Sequence, residues 1–425
     1  MSLQKTCFDS ATGRCIFMKL LAISEHFFPR VGGTVNYVHE TLCALARQGV
    51  ETELLVPGPA PENWLPAGMA TPPYRVRCVD AGYPPSGDPC REARYDFCRK
   101  VDALAWQALA GPDRPDVLHV LFGLFVMEVL DTGRLRAAGL PCLSTVHNVP
   151  PMECRQTAHN APLPARLREE LRLKAVGLKN RARLRKNRYD LHIAPSEQVK
   201  GFLEPVVKDP VAVIGHGLTS DLLAHMAPPA SRRPDPGAPL RLLTVGGYAP
   251  HKRQHLIPEV AKLLQKQGIN FEWDVVGPEG RIKGYHDSVH KAAQWASLED
   301  RLRIHGAVPF TDLAQLYDAA HLYVQPSVEE GFCITALDAA AAGVPVIASP
   351  AGALARIANV SGGTLVDSAS EPLAQAISDF VFEDRWADAA AQAHAVRSAF
   401  SWDTAARTLL ERYKLLIRQR VTDHA

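Results

Sequence analysis

No CxxC pair occurs among the nine cysteines of this 425-residue chain, so neither a zinc ribbon nor a redox motif is supported. An odd number of cysteines, scattered through a chain this long, reads as free thiols in a reducing cytoplasm. No apolar run is long enough to cross a membrane. The longest, Val117 to Leu130, is broken by His119 and Glu128 and falls short of the roughly 18–20 residues a span requires, so it reads as a core strand followed by a helix start. The N-terminus lacks a charged-then-apolar signal pattern, and residues 1–17 read as an unpatterned extension. A strong excess of one charge is missing too: the net charge of +2 removes any global argument for a nucleic-acid partner. No acidic DxD-type cluster with metal-ligand geometry is evident, so no metal is expected.

What is present is the composition of a soluble globular enzyme, with 47% apolar and 22% charged residues. The length favours two domains. Leu20 to Ser24 is a short apolar run, followed by a loop holding Pro29, Gly32 and Gly33. Val35, Val38, Leu42 and Leu45 then fall at helical spacing, Gly49 supplies a stop, and Val50 to Val56 is a second strand. The second half repeats the pattern with Leu240 to Val245, Gly246-Gly247, a helix through Leu256, Val260, Leu263 and Leu264, and Phe271 to Val276. Further strands are expected at Leu302 to His305, Leu322 to Gln325, Val344 to Ala348 and Thr364 to Val366, with helices from about Thr311, Cys333 and Glu371 between them. This alternation predicts an α/β protein of two Rossmann-like, doubly wound domains facing a cleft. The expected units are an N-terminal domain at 18–215, a linker at 216–239, a C-terminal domain at 240–400, and a terminal helix at 401–425 that returns to the first domain. The linker, which begins at His216, is assigned on Pro228, Pro229, Pro234, Pro236 and Pro239. Pro57 to Pro89 reads as loops around a strand near Tyr74 to Val79.

The strongest chemical signal runs from Gln325-Pro326-Ser327 through Glu329-Glu330-Gly331-Phe332-Cys333 into a helix holding Asp338. A strand ends, an acid sits at the turn, and small residues open a helix whose first N–H groups would point at a bound anion. Glu330 and Asp338 could then read hydroxyls on either side of a diphosphate. An acid near a helix start is also commonly a simple cap, a histidine after a strand is often structural, and a Gly-Gly pair is a weak motif alone.

The stretch Pro326 to Pro350 resembles the Glu–x7–Glu signature of retaining GT-B glycosyltransferases, specifically family 4 (group 1). Other landmarks follow the family's order: Gly32-Gly33, Val146-His147-Asn148, Ala194-Pro195-Ser196-Glu197, Val245 to Lys252, and Phe400-Ser401-Trp402. The resemblance covers about residues 18–420 and implies a donor of the nucleotide-diphosphate sugar type as co-substrate, with no other cofactor. It implies that Glu330 binds sugar hydroxyls, that Gly331, Phe332 and Cys333 cradle sugar and phosphate, and that Asp338 takes the ribose. It also implies that Lys252 neutralises the diphosphate, that His147 faces the sugar, that Gly32 and Gly33 let backbone approach the phosphates, and that Val308 lies against the base. Two positions depart from the pattern: Asp338 stands where Glu is usual, and Gly247 where an Arg is usual, for which Arg253 is a candidate substitute.

The implied reaction is retaining hexosyl transfer to an acceptor hydroxyl in glycan, glycolipid or polysaccharide synthesis. The rival readings are a phosphorylase of the same fold and a nucleotide-binding subunit without turnover. Residues 166–188 carry ten Lys/Arg against Glu169 and Glu170, which suggests peripheral contact with the inner membrane face and a lipid-linked acceptor; a solvated helix is the plain alternative.

Overall fold

The computed structural model describes residues 18–28, 32–58, 71–84, 89–147, 163–229, 232–280, 284–386 and 389–423. The expected extension at 1–17 and much of Pro57 to Pro89 lie outside the described residues, as does Asn148.

Two parallel sheets carry the fold. The first has seven strands in the order β3-β2-β1-β4-β5-β6-β7. These are β1 (Met18–Ser24), β2 (Val50–Gly58), β3 (Arg75–Asp80), β4 (Val117–Phe122), β5 (Cys142–Thr145), β6 (Leu191–Ala194) and β7 (Val211–Val213). The second has six, in the order β10-β9-β8-β11-β12-β13. Its strands are β8 (Leu240–Val245), β9 (Phe271–Val276), β10 (Leu302–Ile304), β11 (Leu322–Gln325), β12 (Val346–Ala348) and β13 (Thr364–Leu365). Helices cover both faces of each sheet, which is why strands such as β4 and β11 are nearly continuous apolar runs. Val117 to Leu130 divides as its two interruptions suggest, into β4 and a short helix, Leu124–Val129.

In sheets of this order, ligands gather at the carboxyl ends of the strands where the winding reverses. Here the reversals fall between β1 and β4 and between β8 and β11. The Gly32-Gly33 loop follows β1 and the Gly246-Gly247 loop follows β8. Both glycine loops therefore stand at a switch point, and the carboxyl ends of the two sheets face each other.

The apolar clusters of the first sheet are completed from the far end of the chain. The helix Trp402–Asp423 buries Trp402, Ala406, Leu409, Leu410 and Tyr413 against Leu20, Leu42, Leu45 and Leu143. The Tyr413 hydroxyl bonds His119 Nδ1 at 2.6 Å, and His119 Nε2 bonds Thr145 Oγ1 at 2.9 Å. Burial pushes the His119 imidazole down to about 3, so both nitrogens work as neutral partners inside the core. The short helix Ser220–His225 lies within the segment read as linker. It packs Leu222 into a cluster of the second sheet, beside Leu218.

Candidate active site

β11 ends at Gln325, and Pro326 cannot extend the ladder. The following loop folds back so that Glu330, only 8% exposed, reaches the β8 loop. Its Oε1 accepts from Lys252 Nζ at 2.7 Å and from Ser327 Oγ at 2.7 Å. Burial works against ionisation of Glu330, but the charges of Lys252 and His251, with the hydrogen bonds from Lys252 and Ser327, hold its carboxyl below the ordinary range. Lys252 sits at the end of a tight turn, Pro250–Lys252. Its side chain crosses Gly246, where an added Cβ would lie 3.3 Å from Lys252 Cδ. Glycine at that position leaves the lysine its path.

The opposite wall comes from the first sheet. His147 follows β5, and its Nε2 lies 3.0 Å from the Leu121 carbonyl. That carbonyl can only accept, so Nε2 carries the proton and Nδ1 is left as an acceptor. Burial lowers the imidazole to about 4, so it is neutral at physiological pH. Ser196 follows β6, caps its helix, and donates Oγ to the Gly331 carbonyl at 2.7 Å. The walls meet tightly there: a Cβ on Gly331 would lie 2.6 Å from the His147 carbonyl oxygen. Gln198 ties the other side, accepting from Gly352 N at 2.7 Å.

Between these walls lies a cleft of about 340 Å³, lined by Gly33, His147, His216, His251, Lys252, Glu330, Gly331, Phe332 and Cys333 among others. That volume is in the range of small-molecule sites. The helix Ile334–Ala341 opens onto it, with Cys333 in the left-handed region at φ 78°. Burial raises the Cys333 thiol to about 12, so no thiolate nucleophile is offered. Among the described residues, no group of three or more His, Cys, Asp or Glu could hold a metal ion.

The structure thus brings Glu330, His147, Lys252, Gly33, Gly331, Phe332 and Cys333 to one cleft. Gly32 stands just outside its lining, capping the helix Gly33–Arg47. Three other expected residues are placed elsewhere. Val308 is half-buried against an apolar cluster of the second sheet. The Arg253 guanidinium donates to the Ser368 carbonyl, and Arg253 is not part of the cleft lining. Asp338 is 3% exposed, and its two oxygens accept from Thr219 N at 3.1 Å and Thr219 Oγ1 at 2.9 Å. Both oxygens are thus engaged by Thr219 at the chain crossing, and Asp338 is not part of the cleft lining. Glu40 does the same from the first sheet's side, binding Ser220 N at 2.9 Å and Ser220 Oγ at 3.0 Å. Two buried carboxylates thus grip successive residues of the crossing.

Asp338 makes that grip sensitive to pH. Desolvation, with a smaller push from Glu40, raises its carboxyl to about 7 despite the bonds from Thr219. A carboxyl raised above its unfolded value of about 3.9 binds more protons folded than unfolded between those two values, so its stabilising effect is complete at low pH and lost as pH rises through 7. Asp338→Asn is therefore expected to gain stability relative to the parent between pH 5 and pH 8, by roughly 1–3 kcal/mol. Urea unfolding at both pH values checks this, and parallel curves would refute it.

Several lining residues, among them His216, His251 and Thr335, were absent from the sequence expectations as site residues. His216, read as the first residue of a proline-rich linker, lines the cleft. A signal for it was available in Gly215-His216-Gly217, a bulky ring flanked by glycines after β7.

Comparison with known proteins agrees with this geometry. Residues 31–222 match the profile described as Glycosyltransferase Family 4, and residues 232–395 that described as Glycosyl transferases group 1. The chain belongs to this glycosyltransferase family. Its relatives include the D-inositol 3-phosphate glycosyltransferase of Streptomyces scabiei, 28% identical over 92% of this chain and 89% of that protein. The Frankia alni enzyme of the same description is 29% identical over 90% and 94%. Among solved structures, sucrose-phosphate synthase from Thermosynechococcus elongatus superposes with a TM-score of 0.71 at 23% identity, over 95% of this chain and all of that one. WaaG, a glycosyltransferase of lipopolysaccharide biosynthesis, gives 0.62 at 16%, over 91% and 98%. These structural likenesses establish the GT-B fold of the glycosyltransferase chain. They leave its substrates to be argued from the cleft.

Proposed function

We propose that this glycosyltransferase moves a sugar from a nucleotide-diphosphate sugar to an acceptor hydroxyl with retention of configuration. The observation that carries the reading is the Lys252–Glu330 pair set against a neutral His147 and glycine-lined backbone in one cleft. Lys252 and the N–H groups opening the helix Ile334–Ala341 would hold the diphosphate, and Glu330 would bind sugar hydroxyls. Gly33 brings backbone close to the phosphates without a side chain in the way. In the reaction, the bond from the anomeric carbon to the diphosphate oxygen breaks. The acceptor oxygen bonds that carbon from the same face, and the acceptor's proton passes to the departing phosphate oxygen. The protein's part is electrostatic stabilisation of the leaving group and exclusion of water. His147, with Nδ1 as a neutral acceptor, suits a sugar hydroxyl. A related fold in HepE of Anabaena, solved with UDP and glucose, is consistent with such a donor.

The test is binding of UDP, GDP and ADP and of UDP-glucose, GDP-mannose and ADP-glucose, followed by the anomeric configuration of the product by NMR. Stabilisation by one diphosphate family and a retained anomer support the reading. An inverted product, or no response to any of the six, would sink it.

Peripheral membrane contact belongs to the same proposal. In the helix Leu163–Lys186, Leu167, Leu171 and Leu178 are 58%, 60% and 67% exposed. At about 100° per residue they fall within about 40° of one another, and Lys174, Arg181 and Arg185 share that face. Exposed leucines among basic side chains suit an anionic lipid surface. Flotation with phosphatidylglycerol vesicles at low salt is expected to drop at least tenfold when the three leucines are replaced by serine. Equal flotation of both proteins removes the contact. Among the described residues, no helix is long and apolar enough to cross a membrane.

A further inference from the structure

Among the described residues, His216 differs from the other buried histidines. His119 has both ring nitrogens bonded, to Tyr413 and Thr145. His192 Nδ1 bonds Ser144 Oγ at 2.6 Å, and its Nε2 faces Asp209 at 3.5 Å. Neither ring nitrogen of His216 has a hydrogen-bond partner, although the residue is 6% exposed and lines the cleft. An imidazole always carries a polar nitrogen pair, and burying both without partners is costly, so a purely structural site would favour an apolar ring.

The surroundings are built around this ring. It stacks on Phe332 at 4.7 Å and 27° and on Trp402 at 5.8 Å and 22°. Tyr37 lies at 4.7 Å and His147 at 5.6 Å. The glycines on either side leave space for those neighbours: a Cβ on Gly215 would lie 3.0 Å from Phe332 Cε2, and one on Gly217 would lie 2.5 Å from Trp402 Cγ. The ring is held in place by four separate parts of the chain, with its polar atoms uncommitted.

We infer that His216 is a sugar-binding residue, whose ring nitrogens hydrogen-bond neutral hydroxyls of the sugar being transferred. The inference rests on the nucleotide-sugar reading above. A neutral imidazole presents one donor and one acceptor on diverging edges of the ring, which two hydroxyls can match, whereas phosphate oxygens only accept and would leave the acceptor nitrogen unmatched. Burial, with a smaller effect of His147, keeps the His216 ring far below its usual protonation range, so it does not act as a cation toward the diphosphate. His147 and His216 together make one side of the cleft a pair of neutral rings, opposite the Glu330 carboxylate. That arrangement selects an uncharged hexose over a uronic acid.

The test uses the full chain with His216→Phe, which keeps a flat ring between Phe332 and Trp402, and His216→Asn, which keeps a donor and an acceptor. Binding of UDP, GDP and ADP is expected to stay within about twofold in both. For whichever of UDP-glucose, GDP-mannose and ADP-glucose the parent uses, kcat/KM is expected to fall about tenfold to hundredfold in His216→Phe and to recover in part in His216→Asn. If the parent uses uridine nucleotides, it is expected to prefer UDP-glucose over UDP-glucuronic acid. Independently of folding of the variants, the 15N signals of His216 in the parent should move with the nucleotide sugar and not with the bare diphosphate. Unchanged kcat/KM in His216→Phe, or equal losses for diphosphate and nucleotide sugar, overturns the assignment, and so do unmoved 15N signals. If Lys252→Ala loses diphosphate binding while His216→Phe behaves as the parent, only this assignment fails. A parent that binds no nucleotide sugar overturns both readings.

Discussion

Replacing Lys252 with alanine is expected to lower turnover by about 10²–10³, the effect of removing one preorganised group from a developing anion in a water-poor site. Lys252 Nζ lies 2.7 Å from Glu330 Oε1, with side-chain exposures of 18% and 7%, so the charge is already placed and largely desolvated before any donor arrives. The loss should fall on kcat as well as on donor affinity, because charge on the departing diphosphate grows toward the transition state. The substitution should also cost stability. Removing one partner of a buried pair leaves the other uncompensated, an effect of up to about 3 kcal/mol here, where Ser327 still donates to Glu330. Adding Glu330→Gln to Lys252→Ala should therefore restore much of the melting temperature while restoring none of the turnover. Steady-state rates and thermal unfolding of the two single variants and the double variant check this. Turnover within threefold of the parent would remove Lys252 from the chemistry.

Gly331→Ala is expected to abolish at least about 99% of activity through geometry alone. Its added Cβ would meet the His147 carbonyl oxygen at 2.6 Å, a contact between two backbones with no flexible side chain to move aside. The Gly331 carbonyl is meanwhile held by Ser196. The only relief is separation of the walls, and a displacement of about 1 Å at reacting groups can cost a hundredfold. Each sheet keeps its own core, so the melting temperature should fall far less than the rate. Gly201→Ala is the control: it lies in the helix Glu197–Leu203 with nothing within 4 Å of the added Cβ, and should be neutral or slightly stabilising. Equal activity of Gly331→Ala and Gly201→Ala would mean that the walls are not in functional contact.

The sheets and their glycine loops were legible because each strand–loop–helix unit carries its own signal: an apolar run, a glycine at the turn, then a change to helical spacing. The three-residue β7, which was not among the expected strands, carries no periodicity to read. Within the site, the stretch from Gln325 to Cys333 was legible because strand end, turn and helix start are contiguous. Asp338 was not, because the identity of its partner depends on where a segment more than a hundred residues earlier crosses the helix Ile334–Ala341. The five prolines after residue 227 drew attention to linker character and away from His216, whose role depends on Phe332 and Trp402, rings that only the finished fold brings beside it.

The helix Trp402–Asp423 has a consequence for the order of assembly. A ribosome releases the first sheet long before it makes this helix, and domains generally fold in the order they emerge. Until residues 402–413 arrive, the flank holding Leu42 and Leu45 stays open to solvent, and His119 lacks its phenol. The half of the protein that is translated first is therefore among the last to be sealed, and its exposed flank is where a chaperone would find most to hold.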